Sequence, residues 1–179
     1  MKSRVKIIIA AVAGVAVLGM GTAALANNNN VRDRSTLTGY EETPALSTPG
    51  IGQFKIDLNR AGDTLTYELS FSGLESDVTQ AHIHFENRTN PGAIVVFLCS
   101  NLGNGPAGTQ ACPAAGGTIT GTITAANVGA GAAGQGIAAG EFDEFVNAIR
   151  AGSTYVNVHS VNRPAGEIRA QLDDRHGDD

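Results

Sequence analysis

The chain has 179 residues, 12 lysines and arginines against 17 aspartates and glutamates, four histidines, two cysteines, and aromatic residues limited to three tyrosines and six phenylalanines. No basic cluster is present to meet phosphate, so no nucleic-acid partner is expected and an anionic membrane surface is disfavoured. With no tryptophan and few rings, aliphatic side chains must supply most of any core.

Residues 1–26 read as a secretory signal peptide. Lys2, Arg4 and Lys6 form a positive start, Ile7–Leu18 is an uncharged apolar run, and Ala24-Leu25-Ala26 gives the small-x-small pattern before a predicted cleavage after Ala26. The apolar run is short for a membrane span of about 20 residues, and no cysteine follows it to carry a lipid anchor. Cleavage removes three basic residues and no acidic ones, leaving nine against 17, a net charge of −8. It also leaves 153 of the 179 residues, enough for one domain with a real core. The expected location is secreted or periplasmic, with no membrane span after cleavage.

Residues 27–34, with four consecutive asparagines, read as a flexible leader, and Thr36–Tyr40 as a first strand followed by a proline-interrupted connection. Gln53–Leu58 and Thr64–Phe71 alternate apolar and polar residues on either side of Asn-Arg-Ala-Gly-Asp, the strongest hairpin signal in the chain. In Ala81–Phe85, alternation sends Ala81, Ile83 and Phe85 one way and His82 and His84 the other, about 6.5–7 Å apart at Cα. Asn90-Pro91-Gly92 marks a turn, and the almost continuously apolar Ala93–Cys99 predicts a strand covered on both faces.

Cys99 and Cys112 bound a loop poor in apolar residues. In an exported chain an isolated pair predicts a disulfide, and the C-x-x-C spacing of a redox motif is absent. Thr118–Thr124 returns to alternation, and the Gly/Ala-rich Ala125–Gly140 carries little information. Over residues 141–151, Phe142, Phe145, Val146 and Ile149 recur at helical spacing. Acidic residues open that turn, Arg150 closes it, and Gly152 ends it, so one short inserted helix is predicted. Tyr155–Val161 and Glu167–Leu172 are the last strands, and 174–179 is a charged tail. About eight short strands with one helix predict an all-β fold, an antiparallel β-sandwich.

Ala81–His84, Pro91–Leu98 and above all Ala151–Leu172 (A-G-S-T-Y-V-N-V-H-S-V-N-R-P-A-G-E-I-R-A-Q-L) resemble the CHRD domain. This module was first described as repeats in chordin and is also found singly in secreted bacterial proteins. Leu37–Pro44 and Phe71–Leu74 resemble its N-terminal motifs, and the likeness spans residues 35–173. One departure is visible: Phe85-Glu86-Asn87-Arg88 stands where the family usually has a glycine-rich turn. The resemblance implies an extracytoplasmic β-sandwich and no established catalytic activity.

Three chemistries are open. His82 and His84, joined by His159 if its strand is a neighbour, can form a facial set of nitrogens suited to copper or zinc. Glu167 would be a fourth ligand or the acceptor that orients a ring N–H, and Asn157 would hydrogen-bond within the group. Alternatively the histidines are structural, bonding loop carbonyls in an interaction module with an unknown extracytoplasmic partner and no metal. A copper-only enzyme is the remote third: the H-x-H is similar to that of copper–zinc superoxide dismutase, whose dinuclear site needs about six histidines. No nucleophile elbow is present, and adjacent Glu41 and Glu42 point apart, so no catalytic residue is assigned. Arg169 is expected in an exposed ion pair or cross-strand bond worth about 0–1 kcal/mol. Asn87-Arg88-Thr89 is a glycosylation sequon, meaningful only in a eukaryotic host.

Overall fold

The structure is a computed structural model and describes residues 31–173. The predicted signal peptide, the start of the leader and the tail lie outside these residues. Among the described residues eight strands are present: β1 (Arg32–Thr38), β2 (Ile51–Leu58), β3 (Leu65–Ser72), β4 (Val78–Phe85), β5 (Ala93–Ser100), β6 (Gly117–Ile123), β7 (Thr154–Ser160) and β8 (Ile168–Leu172). One helix, α1 (Phe142–Arg150), interrupts them. The all-β expectation holds.

All neighbours pair antiparallel in one sheet of order β5-β4-β7-β8-β1-β2-β3-β6. The β8–β1 junction is narrow, a single register pair between Thr38 and Arg169. The sheet therefore reads as two four-stranded halves that curl over one core. Its edges meet through side chains. Gln110 Nε2 donates to Leu98 O of β5 at 3.1 Å and Thr120 O of β6 at 3.3 Å, and Tyr67 O–H donates to Leu98 O at 3.2 Å. Those bonds satisfy edge carbonyls that would otherwise invite another strand. Cys99 and Cys112, joined with Cα atoms 5.1 Å apart, hold the loop that carries Gln110.

The hairpin between β2 and β3 follows from its turn chemistry. Asn59 Oδ1 accepts from the backbone N–H of Gly62 and Asp63, and Gly62 takes φ 80°. In α1, Phe142, Phe145, Val146 and Ile149 are buried as the stripe requires. Its end is a Schellman turn, with Ser153 N–H donating to Ala148 O, Gly152 N–H to Ile149 O, and Gly152 at φ 66°.

Two expectations shift. The first strand starts at Arg32, inside the segment read as a leader, because its inward positions include Asp33 and Ser35 and so hide the alternation. The Gly/Ala-rich stretch is packed, with Val128, Ala132 and Ile137 in the core. It lies so close to β5 that a Cβ on Gly131 would stand 2.2 Å from Ile94 O. Gly129 N–H caps the β5 edge at Val95 O, 2.8 Å away.

Candidate metal centre

In β4 the inward residues Ala81 and Ile83 enter the core, and His82 and His84 face outward. Register then decides their neighbours. His82 opposes Asn157, His84 opposes Tyr155 and Gln80 opposes His159, so His159 sits diagonally from His82, within reach of a ring. Towards β5 the register slips on both sides of the 82–83 pair, which re-aims the imidazoles.

This outward face is not wet. Every residue of β7 and β8 is buried, because loops roof the face. Arg169 anchors the roof. Its guanidinium donates to Asn87 O at 3.1 Å, Asn90 O at 3.2 Å and Thr43 Oγ1 at 3.3 Å, and stacks 3.4 Å from the Tyr155 ring centre. Gln171 adds bonds to Glu86 O and Gly152 O, and Arg88 pairs with Glu41 across the roof. The exposed ion pair expected for Arg169 is thus replaced by a buried cation that serves backbone carbonyls.

Under the roof the three histidines converge, with one ligand nitrogen from each within 4.8 Å of the others. His84 Nδ1 lies 2.9 Å from Gly92 O and His159 Nδ1 lies 3.0 Å from Pro164 O. A carbonyl only accepts, so both rings carry their proton on Nδ1 and keep a lone pair on Nε2. His84 Nε2 and His82 Nε2 are buried without a hydrogen-bond partner. His82 Nδ1 is 3.2 Å from His159 Nε2. Two nitrogens on one tetrahedral zinc stand about 3.3–3.4 Å apart, given Zn–N of about 2.0–2.1 Å. Aromatic rings wall the group. Tyr155 stacks parallel to His84 with centres 4.7 Å apart, and Phe97 meets the His82 ring edge-on at 4.4 Å.

Burial drives the electrostatics. It pushes His82 down to about 2, helped by the neighbouring His159 and His84. It pushes His84 down to about 4 against the Gly92 hydrogen bond, and lowers His159 against the bond to Pro164. All three rings are neutral near pH 7, the state in which imidazole ligates a metal.

Asn157 lies where the sequence places it, its amide 3.0 Å from His159 Nε2. Its Oδ1 is the atom that faces this nitrogen, and its Nδ2 is turned towards Glu42. Glu167 does not join the group. Its carboxylate accepts from Thr48 Oγ1 at 2.6 Å, from Glu75 N–H at 2.8 Å and from Ser160 Oγ, clasping loops at one end of the sheet. The acid that approaches the group is instead Glu42, which reaches Asn157. Burial raises it to about 7, with Arg169 opposing, and its Oε1 is buried without a hydrogen-bond partner. Sequence reasoning dismissed Glu42 because it treated Glu41-Glu42 as part of an extended segment. Gly39–Glu41 is a 3₁₀ turn, and the turn aims Glu42 inward. Tyr155 was on the correct face of its strand, but its place between Arg169 and His84 leaves no sequence signal.

A family model described as the CHRD domain matches residues 34–172. No curated protein and no solved structure shows a significant match to the chain.

Proposed function

The chain belongs to the CHRD domain family, and on that footing we propose that it is an exported, non-catalytic binding module that holds one copper or zinc ion at His82, His84 and His159. The family's binding-type domain supports the non-catalytic half of the reading. One observation carries the metal half: three neutral, buried imidazoles point nitrogens at one another, and His84, its Nδ1 held by a carbonyl, keeps an orphaned buried Nε2. Buried polar atoms are rarely left without a partner, so such orphans favour a missing one. The Nδ1 bonds to Gly92 and Pro164 are the carbonyl contacts that ligating histidines commonly make to fix the tautomer. Export is supported by the signal pattern and by the joined cysteines. Among the described residues no helix is long and apolar enough to cross a membrane.

A second reading has its own support. His82 Nδ1 and His159 Nε2 are at hydrogen-bond distance, so the rings can latch β4 to β7 without an ion. Titration calorimetry on metal-free protein beginning at Asn27 separates the two. The metal reading predicts uptake of one equivalent of copper or zinc and its loss in His84→Gln. No heat of binding, with an unchanged melting temperature in added Cu²⁺ or Zn²⁺, supports the latch.

A further inference from the structure

Resting on the metal reading above, we infer that the ion this site is built to hold is monovalent copper rather than a divalent cation. The donor set is the first reason. Among the described residues the groups that converge are three imidazoles, with no carboxylate or thiolate beside them, so every ligand is neutral. Burial is the second. His82, His84 and His159 are 0%, 6% and 5% exposed, and the cost of desolvating an ion rises with the square of its charge, about fourfold from one charge to two.

The surroundings add to that cost. The nearest fixed charge across the ring stack is the Arg169 guanidinium, which lies on Tyr155, which lies on His84. Glu42, an acid in reach of the group's hydrogen-bond network, meets Asn157 and not a ring nitrogen. Coordination number is the third reason. Zn²⁺ takes four ligands, the fourth a carboxylate, thiolate or water. Here Phe97 and Tyr155 close the sides, and the neighbour beside His159 Nε2 is a neutral amide. A closed-shell d¹⁰ monovalent ion is satisfied by three imidazoles and needs no counter-charge in contact. Imidazole is a good ligand for copper in general; the lack of an anion selects the lower charge.

The test is an anaerobic titration of metal-free protein beginning at Asn27 with Cu⁺ supplied from its coloured bicinchoninate complex. The expected result is withdrawal of one equivalent and retention against about a hundredfold excess of Zn²⁺. Displacement of the copper by a tenfold excess of Zn²⁺ would overturn the inference while leaving the metal reading intact. Uptake of neither ion would overturn both. Asn157→Asp gives a second readout, because it sets a carboxylate where the amide now lies 3.0 Å from His159 Nε2. Its preference should move towards Zn²⁺ by at least about tenfold, with thermal melting confirming that the variant is folded. An unchanged preference in a folded Asn157→Asp protein contradicts the charge argument.

Discussion

Arg169→Met removes the guanidinium but keeps an unbranched stem of similar length, so it isolates what the fork contributes. Arg169 is 2% exposed and donates to two roof carbonyls and one hydroxyl while lying on Tyr155. Hydrogen bonds from a charged donor are worth about 1.5–3 kcal/mol each, and a desolvated cation–π contact about 2 kcal/mol. Against these stands the desolvation of the cation, several kcal/mol, which the variant no longer bears. The roof can also move and hydrate Asn87 O and Asn90 O once released. The expected net loss is about 3–4 kcal/mol, read from urea unfolding of metal-free protein, with faster amide exchange confined to residues 86–92. Arg169→Lys keeps the charge without the planar fork and should fall between, losing about 2 kcal/mol. A loss below about 1 kcal/mol for Arg169→Met, or unaltered exchange in the roof, would refute the idea that this side chain holds the roof in place.

Replacing Cys99 and Cys112 together by alanine opens a bridge spanning 13 positions; unfolding should be easier by about 3 kcal/mol, and an unchanged urea midpoint would deny the bridge a structural role. Gly166→Ala puts a Cβ 2.5 Å from Glu42 Oε1 at a φ of 133°, so a loss of about 1–3 kcal/mol is expected, and a neutral result would mean that Glu42 moves aside freely. The metal-free protein should weaken in acid. His82, His84 and His159 are all depressed in the fold, so as pH falls below about 6.5 the unfolded chain takes up protons the folded chain refuses. Glu42, raised to about 7, works the other way between its unfolded value of 4.5 and 7. His82 and His84 together outweigh Glu42 by about 1 kcal/mol per pH unit between pH 6 and 5, and His159 adds in the same direction. Urea midpoints that stay level or rise across that window would contradict the buried, neutral cluster.

The parts of this architecture that were legible in the sequence are those governed by short periods. Alternation in Ala81–Phe85 put His82 and His84 on one face, and the same rule in β7 put Tyr155, Asn157 and His159 together. The helical stripe of Phe142, Phe145, Val146 and Ile149 and the Asn59–Asp63 turn are equally local. What escaped depends on pairings far apart in the chain. Reading the outer face as solvent was reasonable for an alternating strand, yet the roof over it is brought from residues 39–46, 86–92 and 163–166. Arg169 therefore looked like a surface charge and is a buried anchor. Glu167 looked like a partner for histidine because it sits near His159 in the motif. The turn at Gly166 leaves it facing Ser160, Thr48 and Glu75 instead.

The central claim, that His82, His84 and His159 present ring nitrogens to one ion, is tested most directly by long-range proton–nitrogen correlation spectra of the histidine rings. Metal-free protein at pH 7 should show His84 and His159 protonated on Nδ1 alone. Adding a diamagnetic ion, Cu⁺ or Zn²⁺, should shift one nitrogen of each of the three rings, with the change complete at one equivalent and His176 unmoved. Rings that stay unshifted with either ion, or that are doubly protonated at pH 7, would contradict the account.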